Sequence, residues 1–482
     1  MLTLINTNLI RPPIAPVGLE YVATAARQAG IGVEVLDLCL AEDRDKALRD
    51  YFSSRHPELI GLSFRNVGDC FWPSAQWFVQ GLVDLVRRIR GLTGSPIVIG
   101  GVGFSIAAKR IVEETDVEFG VRGDGETAIV ALYQAIAGRR EFRDVPGLLW
   151  WHRRGKAWIT RRLFYNSPAW PAEVRPPSCR DMIDNAAYFR RGGQVGVETK
   201  RGCNRQCVYC ADPLAKGRAV RPRRPEDVAD EFASLLRQGA DVLHMCDGEF
   251  NVPGEHALAV CEELIRRGLG ERVRWYTYMA VTPFDAVLAS AMRRAGCVGI
   301  DFTGDAGCDA MLARLRQQHH KADLATAVRL ARENGITTMV DLLLGGPGET
   351  PATIRETIDF LKSIGPDCVG APLGMCLYAG TPATQMVMAE GPPESNPSIR
   401  RKYPGAVDFF KPTYYISAAI GPQPAALVRE AIAGDQRFFA PEDDDVTGSD
   451  HNYNDNAPLV AAIAAGARGA YWDILRKMRT GR

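Results

Sequence analysis

Two successive series of short apolar runs, each run followed by a helical pattern, constrain the fold of this chain more than any other feature. In the first series the runs are Leu2–Thr7, Val33–Leu38, Leu59–Phe64, Pro96–Gly101 and Val117–Val121. Helical patterns stand between or after them at Gly18–Ala29, Ser74–Arg90 and Gly125–Ala137. Strands that are apolar along their whole length are buried on both faces, and helical crossovers between them demand a parallel sheet. Residues 1–145 are therefore expected to form a doubly wound α/β domain. Such a sheet binds ligands outside the carboxyl ends of its strands. The residues there are Arg65, Asn66 and Asp69, then Gly100, Gly101 and Gly103, then Gly123, Asp124, Gly125 and Glu126. Glycines at strand ends let backbone approach a ligand, and they equally make tight turns.

From Pro146 the pattern weakens into a hairpin and linker, assigned to residues 146–193, with adjacent Trp150 and Trp151, a basic stretch and several prolines. The second series begins near Val195–Thr199. It continues through Val242–Cys246, Val273–Met279, Cys297–Phe302, Thr337–Gly345 and Cys368–Leu377, with helices such as Pro225–Gln238 and Ala322–Asn334 between. Six βα units over residues 194–385 predict a partial or full barrel of the TIM type, whose functional residues sit at the carboxyl ends of the strands. Residues 386–482 read as irregular and then helical, a small C-terminal region. A length of 482 residues with 46% hydrophobic and 24% charged suits a water-soluble protein of two or three domains.

A net charge of +1 gives no reason to expect nucleic acid or anionic membrane as a partner. The local basic run Arg218–Arg224 reads as a solvated face or a phosphate contact. No apolar stretch is long enough to span a bilayer, and the N-terminus reads as a strand rather than a signal. Of 12 cysteines, nine are scattered singly, as free thiols in a reducing cytoplasm are.

The other three form Cys203-x3-Cys207-x2-Cys210, just after the first strand of the second series. Thiolates are the preferred ligands of iron–sulfur clusters. Three on one cubane leave an iron open to bind a substrate. A structural zinc wants four ligands, and only Cys246 or His244 is at hand to help. A disulfide does not suit the compartment.

With Tyr209 before the last cysteine, this segment resembles the signature of the radical S-adenosylmethionine superfamily. The resemblance implies a 4Fe–4S cluster on Cys203, Cys207 and Cys210, with S-adenosylmethionine chelated at the open iron. It continues through DGEF, where Asp247, Gly248 and Glu249 would meet the methionine amino group. It includes DFTGD, where Thr303 stands at the usual place of ribose contacts, and LLLGGPGET, where Gly345 and Gly346 would lie near the adenine. PGET is also a common helix start. A doubly wound, Rossmann-like domain ahead of such a barrel is similar to the cobalamin-binding subgroup. PVGLEYVATAARQAG, IGLSFRN, IVIGGVGFS and GVRGDGE carry that likeness, which covers roughly residues 1–380. It implies cobalamin against Arg65, Asn66, Gly100, Gly101, Gly103, Gly125 and Glu126.

One departure is the absence of the Asp-x-His-x-x-Gly segment that gives cobalt a lower histidine ligand in many cobalamin proteins. His56 precedes a strand and reads as a surface residue. Arg65 stands on the loop that approaches the lower corrin face; its plainer reading is a salt bridge to Asp69 or a phosphate contact. The resemblance implies a cytoplasmic, cobalamin-dependent methyltransferase acting on a small molecule of specialised metabolism. It also implies an external electron donor such as a ferredoxin or flavodoxin. Beside that reading stand cyclisation, ring rearrangement or oxidation by the same cofactors, and an iron–sulfur or corrinoid carrier. No catalytic residue stands out. Tyr453, Asn454 and Asn456 read equally as pocket or surface turn, and Tyr276, Tyr278, Tyr414 and Tyr415 stand between pocket and core, the commoner place for aromatics at strand ends.

Overall fold

The computed structural model describes residues 1–481 apart from 154–160, 173, 175–178, 444–451 and 455. The basic stretch around Arg154 and Asp455 of the NYNDN segment therefore lie outside the described residues.

The first sheet contains β1 (Leu2–Asn6), β2 (Val33–Asp37), β3 (Leu59–Ser63), β4 (Ile97–Gly100), β5 (Phe119–Val121), β6 (Leu148–Arg153) and β7 (Arg161–Tyr165), in the order β2-β1-β3-β4-β5-β6-β7. The first five strands are parallel, and β6 and β7 are antiparallel additions. The hairpin expected as part of a linker thus extends the sheet, with Trp150 stacked on Phe164 at 5.6 Å. The strand order reverses between β1 and β3, which opens a crevice at their carboxyl ends. The helix expected from Ser74 begins at Val79 and ends at Arg90. Its Val79, Leu82, Val83, Val86 and Ile89 bury one face, and each such side chain contributes about 1.5–3 kcal/mol.

The second series supplies β8 (Val195–Val197), β9 (Lys200–Arg201), β10 (Arg221–Pro222), β11 (Val242–Met245), β12 (Arg274–Met279), β13 (Cys297–Asp305), β14 (Thr337–Leu342) and β15 (Cys368–Gly370). Beyond them are β16 (Met375–Cys376), β17 (Ile399–Arg401), β18 (Thr413–Tyr415) and β19 (Phe438–Phe439). The parallel sheet runs β8-β11-β12-β13-β14-β15-β19, and among the described residues β8 and β19 each pair on one side only, so the described barrel is partial. The run expected as one strand from Cys368 to Leu377 is two. Pro372 cannot donate to a ladder, and β16 turns away into the antiparallel set β16-β18-β17. The C-terminal region also adds β19 to the main sheet. Its helices Ala457–Ala464 and Tyr471–Thr480 bury Leu459, Ile463, Trp472 and Ile474 against Val242, Tyr276, Met339 and Phe439. These strand residues share one face by register, so the helices close the concave side of the sheet near its amino ends.

A buried charge network locks the two halves together. Arg180, in the connecting segment, pairs with Glu20 of the helix Val17–Gln28 and, at 2.5 Å, with Glu231 of the helix Pro225–Arg237; all three side chains are 0% exposed. Arg223 pairs with Glu231 at 2.7 Å, and the Tyr21 hydroxyl donates to Glu231 at 2.8 Å. The run Arg218–Arg224 is therefore a solvated face only in part: Arg218 and Arg224 are exposed, but the two arginines between them are not. Arg221, paired with Asp124, and Arg223 are each 2% exposed, because the domain interface brings acids to them.

Candidate functional site

The crevice of the first sheet faces the carboxyl ends of the second, and a cavity of about 400 Å³ lies between them. Asn6, Ser63, Arg65, Asn66, Gly100, Gly101, Gly125 and Glu126 line one side, and Glu198, Arg201, Lys216 and Cys246 the other. Gly103 sits just behind this wall. A Cβ there would lie 2.7 Å from the Asn66 nitrogen, so only glycine lets the two loops meet. Gly18 lines the cavity with nothing within 4 Å of its Cβ position. That space, with its glycine rim, fits a large planar group with a tail. Among the described residues no histidine lines this space.

Arg65 is exposed into this space. It makes no salt bridge to Asp69, which instead accepts from the backbone of Phe71 at 3.3 Å and Gln76 at 3.1 Å. Burial raises Cys246, Tyr278 and Tyr471 above their usual values, and the guanidinium lies near enough to work against that rise. Glu126 does not point freely at the cavity. Arg201 holds it by two hydrogen bonds of 2.6 and 3.0 Å. Burial opposes its charge, but Arg201 wins and keeps the carboxyl below its usual range.

The three cysteines lie on the loop after β9, each half-buried and free. Burial pushes the Cys207 thiol up to about 11 and Cys210 to about 12. Thiols so placed stay protonated unless metal cations displace the protons. The Val208 amide donates to the Leu315 carbonyl and its carbonyl accepts from Ala383, which pins the loop at 3.2 and 2.9 Å. Tyr209 donates to Asp305 at 2.8 Å, and Gln317 binds Asp305 as well as donating to the Cys207 sulfur at 3.4 Å. This donor set fits an iron–sulfur cluster with a hydrogen-bonded thiolate. Among the described residues no group of three His, Cys, Asp or Glu side chains is gathered around a single ion.

Glu249 has the geometry of a ligand-seeking carboxylate. Its Oε1 accepts from the Thr303 hydroxyl at 3.0 Å, while its buried Oε2 has no partner. Burial raises it to about 7. A cationic amine beside the cysteines would satisfy that oxygen. Gly248 is next to it, 3.4 Å from the Asp212 carboxylate at its Cβ position. Asp247, by contrast, turns inward and accepts from Thr199 N at 2.8 Å, Thr199 Oγ1 at 2.5 Å and Lys200 N at 3.2 Å. It holds the strand end that leads into the cysteine loop. Gly345 and Gly346 follow β14. Thr350 caps the helix Pro351–Ile364 through Thr353 N at 3.3 Å, and the Gly345 amide donates to Glu349 at 3.4 Å.

Two family models match: the radical S-adenosylmethionine superfamily over residues 197–361 and the B12 binding domain over residues 5–133. The tryptophan 2-C-methyltransferase of Streptomyces laurentii is 29% identical over 97% of this chain and 94% of its own. The radical S-adenosylmethionine methyltransferase TsrM of Kitasatospora setae, solved with tryptophan and a S-adenosylmethionine analogue bound, is 30% identical. It covers 100% of this chain and 98% of its own with a TM-score of 0.89. This chain belongs to the cobalamin-dependent radical S-adenosylmethionine methyltransferases. It uses a 4Fe–4S cluster, S-adenosylmethionine and cobalamin, and acts on a small molecule. The radical enzyme OxsB, solved with aqua-cobalamin and S-adenosylmethionine, shares the fold at 19% identity and a TM-score of 0.73 over 90% of this chain.

Sequence reasoning missed several residues of this methyltransferase site. Asp305, the last residue of DFTGD, and Gln317 reach the cysteine loop from β13 and the segment beyond it; the motif was read for Thr303 alone, and no local motif announces Gln317. Arg201 stands beside the triad, yet its partner Glu126 is 75 residues away. Tyr278, expected in the core, is 36% exposed on the inner face of β12. Tyr276, Tyr414 and Tyr415 are buried as expected. Tyr453 reaches the inner face, where burial, and then the nearness of Asp341, Tyr278 and Asp301, oppose its ionisation. Asn456 caps the helix Ala457–Ala464 instead.

Proposed function

We propose that this methyltransferase transfers the methyl group of S-adenosylmethionine, by way of cobalamin, to carbon 2 of the indole ring of tryptophan. The observation that supports it most is the full-length likeness to tryptophan-bound TsrM, which extends through the C-terminal helices that close the barrel. Cys203, Cys207 and Cys210 hold the cluster. Tyr209 is fixed by Asp305, and Gln317 tunes Cys207. Glu249, oriented by Thr303, takes the ammonium group of S-adenosylmethionine, and Gly345 and Gly346 give its adenine room. Arg65, Asn66, Gly100, Gly101, Gly103 and Gly125 shape the corrin crevice. Glu126, through Arg201, and Asp247, through Thr199, position the walls on either side.

Cobalamin, when bound, supplies a cobalt centre that accepts and donates a methyl group, which side chains cannot do. The chain's own part is to orient the acceptor, exclude water and keep cations and carboxylates where charge is needed. Any electron the cofactors require comes from an external ferredoxin or flavodoxin. Among the described residues no helix is long and apolar enough to cross a membrane, and a reducing cytoplasm suits the free thiols. Anaerobically reconstituted enzyme given tryptophan and trideuteriomethyl S-adenosylmethionine should place the label on indole carbon 2, read by mass spectrometry and carbon NMR. Label on another atom, or none, refutes the assignment.

A further inference from the structure

Three arginines ring the loop that carries the cysteine triad. Arg205 lies within it, between Cys203 and Cys207. Arg218 follows Gly217, whose carbonyl accepts from the Cys203 amide at 3.3 Å. Arg316 stands between Leu315, whose carbonyl accepts from the Val208 amide at 3.2 Å, and Gln317, which donates to the Cys207 sulfur at 3.4 Å. Arg218 donates to the Arg205 carbonyl at 3.5 Å, and Arg205 donates to Gln318, two residues beyond Arg316, so the three adjoin. Arg218 and Arg316 are exposed and Arg205 is half-buried. The turn that brings Gln317 onto the triad puts Arg316 at φ 57°, a left-handed conformation uncommon for a residue with a long side chain.

Among the described residues none of the three forms a salt bridge. The hydrogen bonds of Arg205 go to Gln318 and the Thr282 carbonyl, and that of Arg218 goes to Arg205. Two acids of the same region are engaged elsewhere: Asp212 pairs with Lys216 at 3.1 Å, and Asp305 is buried against Tyr209 and Gln317. Arg205 also lies near enough to the buried Glu249 to favour its charge, so the outward pair is Arg218 and Arg316. Unpaired cations side by side repel one another and project a positive field over this one loop, in a chain whose net charge is only +1. Asn204 and Gln206, the exposed residues of the loop itself, are uncharged, so neither repels an acidic surface. A field of this sign raises the encounter rate of an acidic partner. Its place over the triad favours a partner that exchanges electrons with a cluster held there.

We propose that Arg205, Arg218 and Arg316 form the docking surface for an acidic one-electron carrier protein that reduces the enzyme through the cysteine loop. This rests on the reading that an external ferredoxin or flavodoxin supplies the electrons. It goes further by naming the face that carrier meets and the charge it must present. One electron passes from the reduced carrier to the oxidised cluster; the carrier is oxidised by one electron, and no bond forms or breaks.

The test mixes anaerobic holoenzyme with flavodoxin hydroquinone or with a reduced acidic ferredoxin and follows cluster reduction by freeze-quench electron paramagnetic resonance. Photoreduced deazariboflavin, a small uncharged reductant, is the control, and iron content checks loading. The wild-type rate with either carrier should fall about tenfold or more between low salt and about 0.5 M, as screening removes the steering. At low salt Arg218→Glu and Arg316→Glu should be reduced about ten- to a hundredfold more slowly by the carriers, and Arg218→Gln and Arg316→Gln should lose less. All four variants should match wild type with deazariboflavin. Unchanged carrier rates in the Glu variants, or equal slowing with deazariboflavin, overturn the docking surface and leave the external donor standing. Should the Glu variants fail to load iron, the wild-type salt dependence decides alone, and a carrier rate indifferent to salt overturns the proposal. If deazariboflavin reduces wild type and neither carrier does, the reading of a ferredoxin or flavodoxin donor falls, and the surface with it.

Discussion

Replacing Arg180 with Met should destabilise the protein by about 3–5 kcal/mol at pH 8, the cost of stranding a buried charge. The magnitude follows from what the guanidinium leaves behind. Glu20 and Glu231 are both 0% exposed. Glu231 keeps Arg223 at 2.7 Å and the Tyr21 hydroxyl at 2.8 Å. Among the described residues Glu20 keeps only Asn185 Nδ2, at 3.1 and 3.3 Å, and the Met182 amide at 3.2 Å. The stranded charge is therefore chiefly Glu20. Burial already lifts its pKa above the ordinary value despite Arg180, and loss of the cation lifts it further. A carboxyl whose folded pKa exceeds its unfolded value supports folding most in acid and loses that support as pH rises through the folded pKa. The deficit of the variant should accordingly shrink as pH falls from 8 toward 5. Adding Glu20→Gln to Arg180→Met should recover about 1–3 kcal/mol, since removing both partners spares the desolvation penalty. Anaerobic urea unfolding followed by tryptophan fluorescence reads all three proteins. A loss under about 1 kcal/mol for Arg180→Met, or a double variant no better than the single, would show that the network is not what couples the halves.

Changing Cys203, Cys207 or Cys210 to Ala should abolish iron binding and every use of S-adenosylmethionine, whereas Cys39→Ala and Cys297→Ala, both 0% exposed in the core, should keep full iron by colorimetric assay. Affinity for S-adenosylmethionine should rise with pH through the Glu249 value of about 7 and then level off, because only the carboxylate pairs with ammonium; Glu249→Gln should bind weakly at every pH and lose that slope in a calorimetric titration. The Co(II) form should show no nitrogen splitting in electron paramagnetic resonance, since no histidine among the described residues lines the crevice and a protonated Arg65 cannot coordinate; splitting that appears only in Arg65→His would place residue 65 beneath cobalt.

How much of this was legible in the sequence depends on distance along the chain. Wholly apolar runs such as Leu2–Asn6 and Ile97–Gly100 reveal a doubly covered parallel sheet, because burial on both faces leaves no polar alternation. The triad was legible because its three thiols share one short loop. The hairpin around Trp150 was recognised, but its membership of the first sheet was not. That membership depends on β5 offering a free edge. Arg221 and Arg223 looked like surface charge, since Asp124 and Glu231 meet them only after folding. Arg205, Arg218 and Arg316 were not legible as a set, because only folding brings Gly217 and Gln317 onto the cysteine loop. The role of the C-terminal helices was hidden for the same reason, as their apolar faces match the concave side of a sheet that forms far upstream.

The central claim is that methyl groups pass through cobalamin on their way to the acceptor. It is tested most directly by one turnover of enzyme loaded with trideuteriomethylcobalamin and supplied with unlabelled S-adenosylmethionine. The first product should carry the deuterated methyl group and later products the unlabelled one. An unlabelled first product would contradict the account.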